Sequence, residues 1–248
     1  MPRSKRDRAE SGIYHIMLRG INKQRIFEDE ADRDRFLECL DKSLSKSSAK
    51  LYAWCLMNNH VHLLIKEGNE PVGTTVKRFG AGYVGYYNAR NGRTGALFQD
   101  RFRSEAVDGS EYFLTVLRYI HQNPVKAGLC QKCGEWKYSS CNEYLNGPVR
   151  VDDTLLWAEM DRERFREWVD EPNRDACLDT GTQRKTRMSD ESARRLLERT
   201  SGVESITAFQ ALPRQDQESS LRKLKAQGAT IKQLVRLTGL SYYAIQKV

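Results

Sequence analysis

The feature that most constrains the fold is a pair of apolar, β-prone segments separated by only two residues. Residues 51–57 and 60–65 are rich in large apolar side chains, and the pair Asn58 and Asn59 between them suits a tight turn. Two strands joined in this way form an antiparallel hairpin. We therefore expect this hairpin to be central to a sheet.

The second strand of this hairpin carries two histidines, His60 and His62. Side chains alternate along a strand, so both imidazoles project from one face while Val61 points to the other. Two aligned imidazoles supply two of the ligands that a metal site needs. The pattern alone leaves a second interpretation open, in which one histidine belongs to the turn and the other to the core. The apolar run around the pair favours the metal interpretation, because polar side chains are uncommon on such a strand unless they have a function.

Strand and helix patterns alternate through the rest of the first half. Strands are predicted at residues 13–18 and 96–107, and helices at residues 30–47, 72–88 and 111–123. Ser110 is expected to cap the last helix, and Pro124 is expected to end it. This order predicts an α+β fold, with an antiparallel sheet covered by helices on one side.

Tyr119 and Asn123 lie four residues apart on the last of these helices, so they share a face and could approach the histidine pair together. The phenol is a nucleophile, and the amide oxygen is a hard metal ligand. Two imidazole nitrogens, one amide oxygen and open positions suit Mg²⁺ or Mn²⁺ better than structural zinc. Spacing alone equally allows Tyr119 to be an ordinary helix tyrosine and Asn123 a C-terminal cap.

Four segments, in order along the chain, resemble the single-tyrosine IS200-like transposases of the HUH class, including their REP-associated relatives. The similarity spans roughly residues 12–145. The segments are residues 14–20 with Ile26 and Phe27 after them, residues 54–65 around the histidine pair, residues 97–103, and residues 118–129 followed by 136–140.

The resemblance implies an HUH fold with a ferredoxin-like antiparallel sheet, and an enzyme that cuts and rejoins single-stranded or hairpin DNA. It implies that His60, His62 and Asn123 bind Mg²⁺ or Mn²⁺ and that Tyr119 is the nucleophile, forming a 5′-phosphotyrosine and a free 3′-OH. One departure is that Asn58 stands where relatives commonly have Pro, which removes no ligand. The sequence does not reveal the base that deprotonates the tyrosine, whose free pKa is about 10.

His121 and the cysteines are assigned no chemistry. His121 is two residues from Tyr119 on the helix, so it points away and is expected to be structural or to support the site indirectly. Cys130 and Cys133 form a lone CxxC motif, and no second pair at a recognisable spacing completes a zinc site. The six cysteines are therefore interpreted as reduced thiols.

Residues 189–248 are helical in pattern and contain a helix-turn-helix signature. Thr230 and Ser241 are candidate N-caps, and Gly239 stands in the turn between the two helices. A helical bundle that only packs on the main domain would look similar. DNA binding is favoured, because the segment offers side chains for phosphate and base contacts. They are Lys232, Arg236, Tyr242, Tyr243, Gln246 and Lys247.

Composition and charge are consistent with a nucleic-acid partner. Lys and Arg exceed Asp and Glu by 41 to 33, a net charge of +8, and Arg19, Arg101 and Arg103 are the candidate DNA contacts of the first half. No apolar run is long enough to span a membrane. We expect a cytoplasmic monomer or homodimer, with a catalytic domain at 1–145, an extension and linker at 146–188, and a DNA-binding domain at 189–248.

Two other functions remain open from the sequence. One is a regulator derived from a transposase that binds DNA without catalysis. The other is a metal-dependent hydrolase in which an activated water attacks and Tyr119 takes no part. Neither alternative predicts a covalent protein–DNA adduct.

Overall fold

The computed structural model of the chain divides into two compact units, residues 1–180 and residues 181–248. We call them the sheet unit and the helical unit. The residues that the structure describes are 8–173, 175, 177, 178, 190–203, 205–227, 229 and 231–247. The linker predicted near residues 179–187 and the predicted cap Thr230 lie outside them. No helix in these described ranges is long and apolar enough to cross a membrane.

The sheet unit is built on a four-stranded antiparallel sheet with the strand order β2-β3-β1-β4. The strands are β1 (Ile13–Arg19), β2 (Lys50–Leu56), β3 (His60–Lys66) and β4 (Arg103–Ala106). The α+β class is thereby confirmed. β2 and β3 form the predicted hairpin. β3 lies inside the sheet, and the edge of β2 is covered by a bridge between Cys55 and Ser139.

Helices cover both faces of this sheet. They are α1 (Glu30–Ser47), α2 (Val72–Arg90) and α3 (Ser110–Lys126), followed by the short α4 (Cys141–Asn146), α5 (Thr154–Trp157) and α6 (Arg162–Trp168). α1 connects β1 to the parallel strand β2, and α2 connects β3 to β4. Crossovers of this kind share one hand, which places both helices on the same face, as the sequence predicted.

On that face, α2 approaches β1 so closely that a Cβ at Gly80 would lie 3.9 Å from Leu18 Cδ2. Phe36 of α1 packs edge-on against Phe79 of α2, with the ring centroids 5.6 Å apart. α3 lies on the opposite face, which corrects the expectation of helices on one side only. Because β4 is an edge strand, the chain that follows it can pass around the edge of the sheet to the other face. There α3 buries the face that α1 and α2 leave uncovered.

Two local predictions in this region are also corrected. The strand predicted at residues 96–107 is regular only from Arg103 to Ala106, because the chain before it bridges to Gly20 at the end of β1 instead of following the sheet. α3 continues through Pro124, which is in its last turn, where the missing N–H removes only one helical hydrogen bond. Its N-cap residue is Gly109 and not Ser110.

The chain after α3 packs back onto the sheet unit. Gln122 of α3 donates through Nε2 to the carbonyls of Val169 and Glu171, at 2.8 and 2.9 Å. Buried Glu143 accepts from Trp54 Nε1 at 2.8 Å and, through its other oxygen, from the backbone N–H groups of residues 149, 150 and 151. Residues beyond 145 thus contribute to the same unit as the sheet.

Replacing Glu143 with Gln is expected to lower the free energy of unfolding by about 2–3 kcal/mol, because the amide NH₂ would face N–H donors and leave buried groups unpaired. Urea unfolding of the variant measures this loss. The matched control is Glu159→Gln, at an exposed position of the same unit, for which a change below about 0.5 kcal/mol is expected. Equal stability of the two variants would show that the Glu143 contacts contribute nothing.

The helical unit has a core of its own. Its helices are α7 (Asp190–Ser201), α8 (Ile206–Gln210), α9 (Arg214–Ala226), α10 (Ile231–Thr238) and α11 (Tyr242–Gln246). Leu224, Leu234 and Ile245 are fully buried at their centre. Between α10 and α11, Gly239 has a φ of +67°, a conformation that favours glycine. Ser241 caps α11 by accepting from the N–H of Ala244, as predicted.

Candidate metal and tyrosine site

His60, His62 and Tyr119 come together on the face of the sheet that α3 covers. The rings of His60 and His62 are nearly perpendicular, with centroids 4.9 Å apart. The Tyr119 ring lies edge-on to His62, at a centroid distance of 5.7 Å. His62 and Tyr119 are buried, whereas His60 is half-buried. The proposed nucleophile and the proposed ligands are therefore neighbours, although they are far apart in the sequence.

A third histidine, His15 of β1, belongs to the same cluster and was missed by the sequence analysis. It is fully buried. Its Nε2 lies 2.9 Å from Nδ1 of His62, and its ring lies 5.9 Å from that of Tyr119. On its other side, Nδ1 is 3.7 Å from Oε2 of Glu105, its cross-strand neighbour on β4. The available signal was that His15 alternates with Tyr14 and Ile16 along an apolar strand.

Burial controls the electrostatics of this cluster. The pKa of His62 is held well below its usual value, first by loss of solvation and then by repulsion from His15, His60 and Arg19. The pKa of Glu105 is lowered, chiefly by the nearby imidazole of His15, whose Nδ1 lies 3.7 Å from Oε2. His62 is thus neutral near pH 7 and Glu105 is a carboxylate, the states in which an imidazole can bind a cation and a carboxyl group can orient an N–H donor.

Asn123 lies one helical turn beyond Tyr119. Its Nδ2 donates to the backbone carbonyl of Tyr119 at 2.8 Å. This bond engages the amide nitrogen of Asn123. The amide oxygen is therefore the atom that would bind a cation. Lys126, one turn further, places its Nζ 5.3 Å from the centre of the Tyr119 ring, close enough for a cation–π contact.

The donor set fits a hard divalent ion. In the part of the chain that the structure describes, no three His, Cys, Asp or Glu side chains are grouped so that they could hold a metal ion. The amide oxygen of Asn123, one helical turn beyond Tyr119, is the third ligand predicted from the sequence, and oxygens from outside the protein would occupy the other positions. Such an open nitrogen and oxygen set suits Mg²⁺ or Mn²⁺ better than a closed structural zinc site.

The predicted arginines of the sheet unit have different positions. Arg19 pairs across the strands with His60, so its half-buried side chain begins beside the predicted metal ligand. Arg103 pairs with Met17 on the same face, and its Nη1 lies 3.5 Å from the carbonyl of Leu178. Arg101 is exposed in the irregular segment before β4 and not in a strand. The predicted common face of Arg101 and Arg103 is therefore not formed by a regular strand.

In the helical unit, four of the predicted contacts are on or directly after α11. Tyr242 and Tyr243 are 52% and 65% exposed, and Lys247 places its Nζ 4.4 Å from the centre of the Tyr243 ring. Gln246 is exposed as well. Arg236 of α10 lines, together with Arg194, a cleft of about 380 Å³. The side chain of Lys232 lies outside what the structure describes.

His121 has a structural position, in agreement with its predicted orientation. It is buried, its Nε2 lies 2.8 Å from Oγ of Ser140, and its ring packs against Tyr144 and Phe165. Burial lowers its pKa to about 3. The six cysteines are free thiols, and the neighbouring thiol of Cys141, followed by burial, raises the pKa of Cys133.

The chain is similar to proteins of one family. Residues 9–123 match the family model described as "Transposase IS200 like". Among solved structures, one described as a REP-associated tyrosine transposase bound to a REP hairpin matches with a TM-score of 0.54 and 15% sequence identity. This match covers 74% of the present chain and 98% of the other. No curated protein matches the sequence. The matched family segment includes every residue of the candidate site, from His15 to Asn123.

Proposed function

We propose that the protein nicks and rejoins single-stranded or hairpin DNA, with Tyr119 as the nucleophile, because residues 9–123 match the model of the IS200-like transposase family. The observation that carries this proposal is the convergence of Tyr119, His60 and His62 on one sheet face. A phenol beside two imidazoles is an arrangement suited to a metal-assisted attack on a phosphodiester. Its test is the formation of an SDS-resistant protein–DNA adduct on a hairpin oligonucleotide with Mg²⁺ or Mn²⁺.

In this proposal His60, His62 and the amide oxygen of Asn123 hold Mg²⁺ or Mn²⁺. The ion, when bound, polarises the scissile phosphate and neutralises the charge that develops on its oxygens. The ring of Tyr119 packs edge-on against His15 and His62, and Nζ of Lys126 lies 5.3 Å from its centre. This packing restricts the motion of the ring, which would lower the entropic cost of an in-line attack.

The covalent step is balanced within the protein and the DNA. The Oη of Tyr119 forms a bond to phosphorus, and the bond between phosphorus and the 3′-oxygen breaks. The phenolic proton is lost to solvent, and the departing 3′-oxygen takes up one proton from solvent, so that no net proton is released. The products are a 5′-phosphotyrosine and a DNA strand that ends in a 3′-OH. Since the phosphodiester bond energy is kept in the covalent link, a second 3′-OH can attack it and rejoin a strand without ATP.

The cationic side chains around the cluster would guide the DNA backbone to it. Arg19 starts beside His60, and the loop Ile21–Lys23 that follows it is held to the hairpin turn, because Asn59 Nδ2 donates to the carbonyl of Lys23 at 3.2 Å. Arg101 is exposed on the segment that bridges to this same loop region. We propose that these groups, with Arg103, bind phosphates next to the cleaved bond.

The helical unit would add affinity for DNA beside the cleavage site. Exposed Tyr242 and Tyr243 lie at the start of α11, the second helix of the predicted helix-turn-helix, where side chains of such motifs contact DNA. Lys247 supplies positive charge beside Tyr243, and Arg236 adds positive charge on α10 of the same unit. The similar solved structure is described as bound to a REP hairpin, which supports a hairpin as the probe for the present chain.

Deleting residues 189–248 is expected to leave a fragment that still nicks DNA but binds it more weakly and with a shallower salt dependence. The slope of log affinity against log salt should decrease by about 0.7–0.9 for each phosphate contact removed. The matched variant is the full-length chain with Gln in place of Arg236 and Lys247. For this variant the slope of log affinity against log salt should decrease by about 1.4–1.8. Binding isotherms at three salt concentrations measure both. An unchanged affinity and slope would mean that these helices only pack or contact proteins.

A further inference from the structure

We propose that Lys126 is a catalytic residue whose ammonium binds the phosphate attacked by Tyr119, and that Asn173 is a positioning residue that holds Lys126 beside this nucleophile. The inference rests on the proposed function, because it concerns the phosphate that Tyr119 attacks. Both residues lie beyond residues 9–123, the segment that matches the family model. The site would therefore extend into the part of the chain that follows the matched segment.

Lys126 lies in the last turn of α3, about two turns after Tyr119 and on the same helix face. Its Nζ is 5.3 Å from the centre of the Tyr119 ring. The ring is buried and packs edge-on against His15 and His62, whereas Lys126 is exposed. The ammonium therefore lies where the ring approaches solvent, on a side from which a DNA strand can reach the nucleophile.

Asn173 holds Lys126 in this position through an amide that is bonded at both ends. Its Oδ1 accepts from Nζ of Lys126 at 3.2 Å and from the backbone N–H of Asp175 at 3.0 Å. Its Nδ2 donates to Oε1 of Gln122 at 2.7 Å and to the carbonyl of Glu171 at 3.0 Å. Because Gln122 is itself buried, this network restricts the direction of the amide and keeps its oxygen facing the ammonium.

The chemistry of the two partners favours movement of the ammonium from the ring to a phosphate. For in-line attack the phosphorus must lie about 3–3.5 Å from Oη of Tyr119, which brings its oxygens near a cation that is already beside the ring. A charge-assisted bond to a phosphate oxygen is stronger than a cation–π contact at an exposed site, and the flexible stem of Lys126 permits the move. During the transfer the ammonium neutralises charge on the non-bridging oxygens and gives up no proton.

The first test is single-turnover cleavage of a labelled hairpin with Mn²⁺, measured over a range of DNA concentrations on full-length variants. Lys126→Met is expected to lower the rate at saturating DNA by about 10²-fold, the usual effect of removing one group that stabilises charge in a transition state. Lys126→Arg keeps the positive charge and should lose less than about tenfold. A natural rate for Lys126→Met, or equal losses for the Met and Arg variants, would overturn the role of the charge.

The second test is the salt dependence of hairpin binding without metal, which a purely structural role of Lys126 would not change. For Lys126→Met the slope of log affinity against log salt should decrease by about 0.7–0.9. Asn173→Ala retains the ammonium, so it should keep this slope while its cleavage rate falls several-fold. The matched control is Lys77→Met, at an exposed position of α2 on the opposite face of the sheet, which should keep both the slope and the rate.

These outcomes separate the inference from the proposed function. An unchanged slope for Lys126→Met would overturn the phosphate contact, and a natural rate for Asn173→Ala would overturn the positioning role, while adduct formation by Tyr119 would stand. If the natural chain forms no adduct at Tyr119, the proposed function fails and the inference fails with it. Thermal unfolding checks each variant. Should Lys126→Met not fold, Lys126→Gln takes its place, with the same expected and overturning results.

Discussion

Replacing Tyr119 with Phe is expected to abolish the covalent protein–DNA adduct and to reduce strand cleavage by at least about 10³-fold, because the hydroxyl is the only atom removed and it is the proposed nucleophile. The ring packs against His15 and His62, and Phe retains this packing. Folding and hairpin binding should therefore be unchanged. Single-turnover cleavage of a labelled hairpin with Mn²⁺ gives the rate, and denaturing gels give the adduct.

The matched control is Tyr52→Phe. Tyr52 is also buried and also packs against α3, through an edge-on contact with Phe113, but it is not part of the histidine cluster. The Tyr52→Phe variant should cleave DNA at a rate close to that of the natural chain. Cleavage by Tyr119→Phe at an undiminished rate would instead favour a hydrolase in which water attacks, and absence of cleavage by the natural chain would favour a DNA-binding regulator.

Replacing His60 with Ala should reduce cleavage by at least about 10²-fold while DNA binding stays within about threefold, because a ligand lost from the ion affects charge stabilisation in the reaction more than ground-state affinity. His60 is the more informative of the two histidines for this experiment. It is half-buried, whereas His62 is fully buried in the sheet, so His62→Ala should also lose about 2–4 kcal/mol of stability through the cavity it leaves.

Cleavage, hairpin affinity and thermal unfolding should be measured on both histidine variants. The expected pattern is loss of cleavage in both, with retained binding and with loss of stability only in His62→Ala. If His60→Ala lost binding and stability together with cleavage, the histidine pair would be a structural element and not a metal site. Excess Mn²⁺ should restore part of the His60→Ala activity, because weakened binding is overcome by mass action.

The local parts of the site could be predicted from the sequence because they depend on short-range patterns. The apolar hairpin with its Asn58-Asn59 turn fixes the alternation that places His60 and His62 on one face. The four-residue spacing of Tyr119 and Asn123 likewise follows from helical geometry. The approach of Tyr119 to the histidine pair was expected from the family resemblance, and the distance between the rings of Tyr119 and His62 now describes it.

What the sequence could not supply depends on long-range pairing. His15 meets His62 only because of the register between β1 and β3, in which His62 lies opposite Met17. Nothing in a single sequence specifies that register, or that Glu105 pairs with His15 on the other side. Pro124 was predicted to end α3 by a local rule, but packing of the last turn outweighs the loss of one hydrogen bond.

The central claim is that Tyr119 becomes linked to a 5′-phosphate, and the most direct measurement is mass spectrometry of the adduct. The natural chain is incubated with a hairpin oligonucleotide and Mn²⁺, the DNA is trimmed with nuclease, and the protein is digested into peptides. We expect one modified peptide, with a nucleotide phosphate on Tyr119 and a free 3′-OH on the released strand. A phosphate on another residue, or cleaved DNA with no modified peptide, would contradict it.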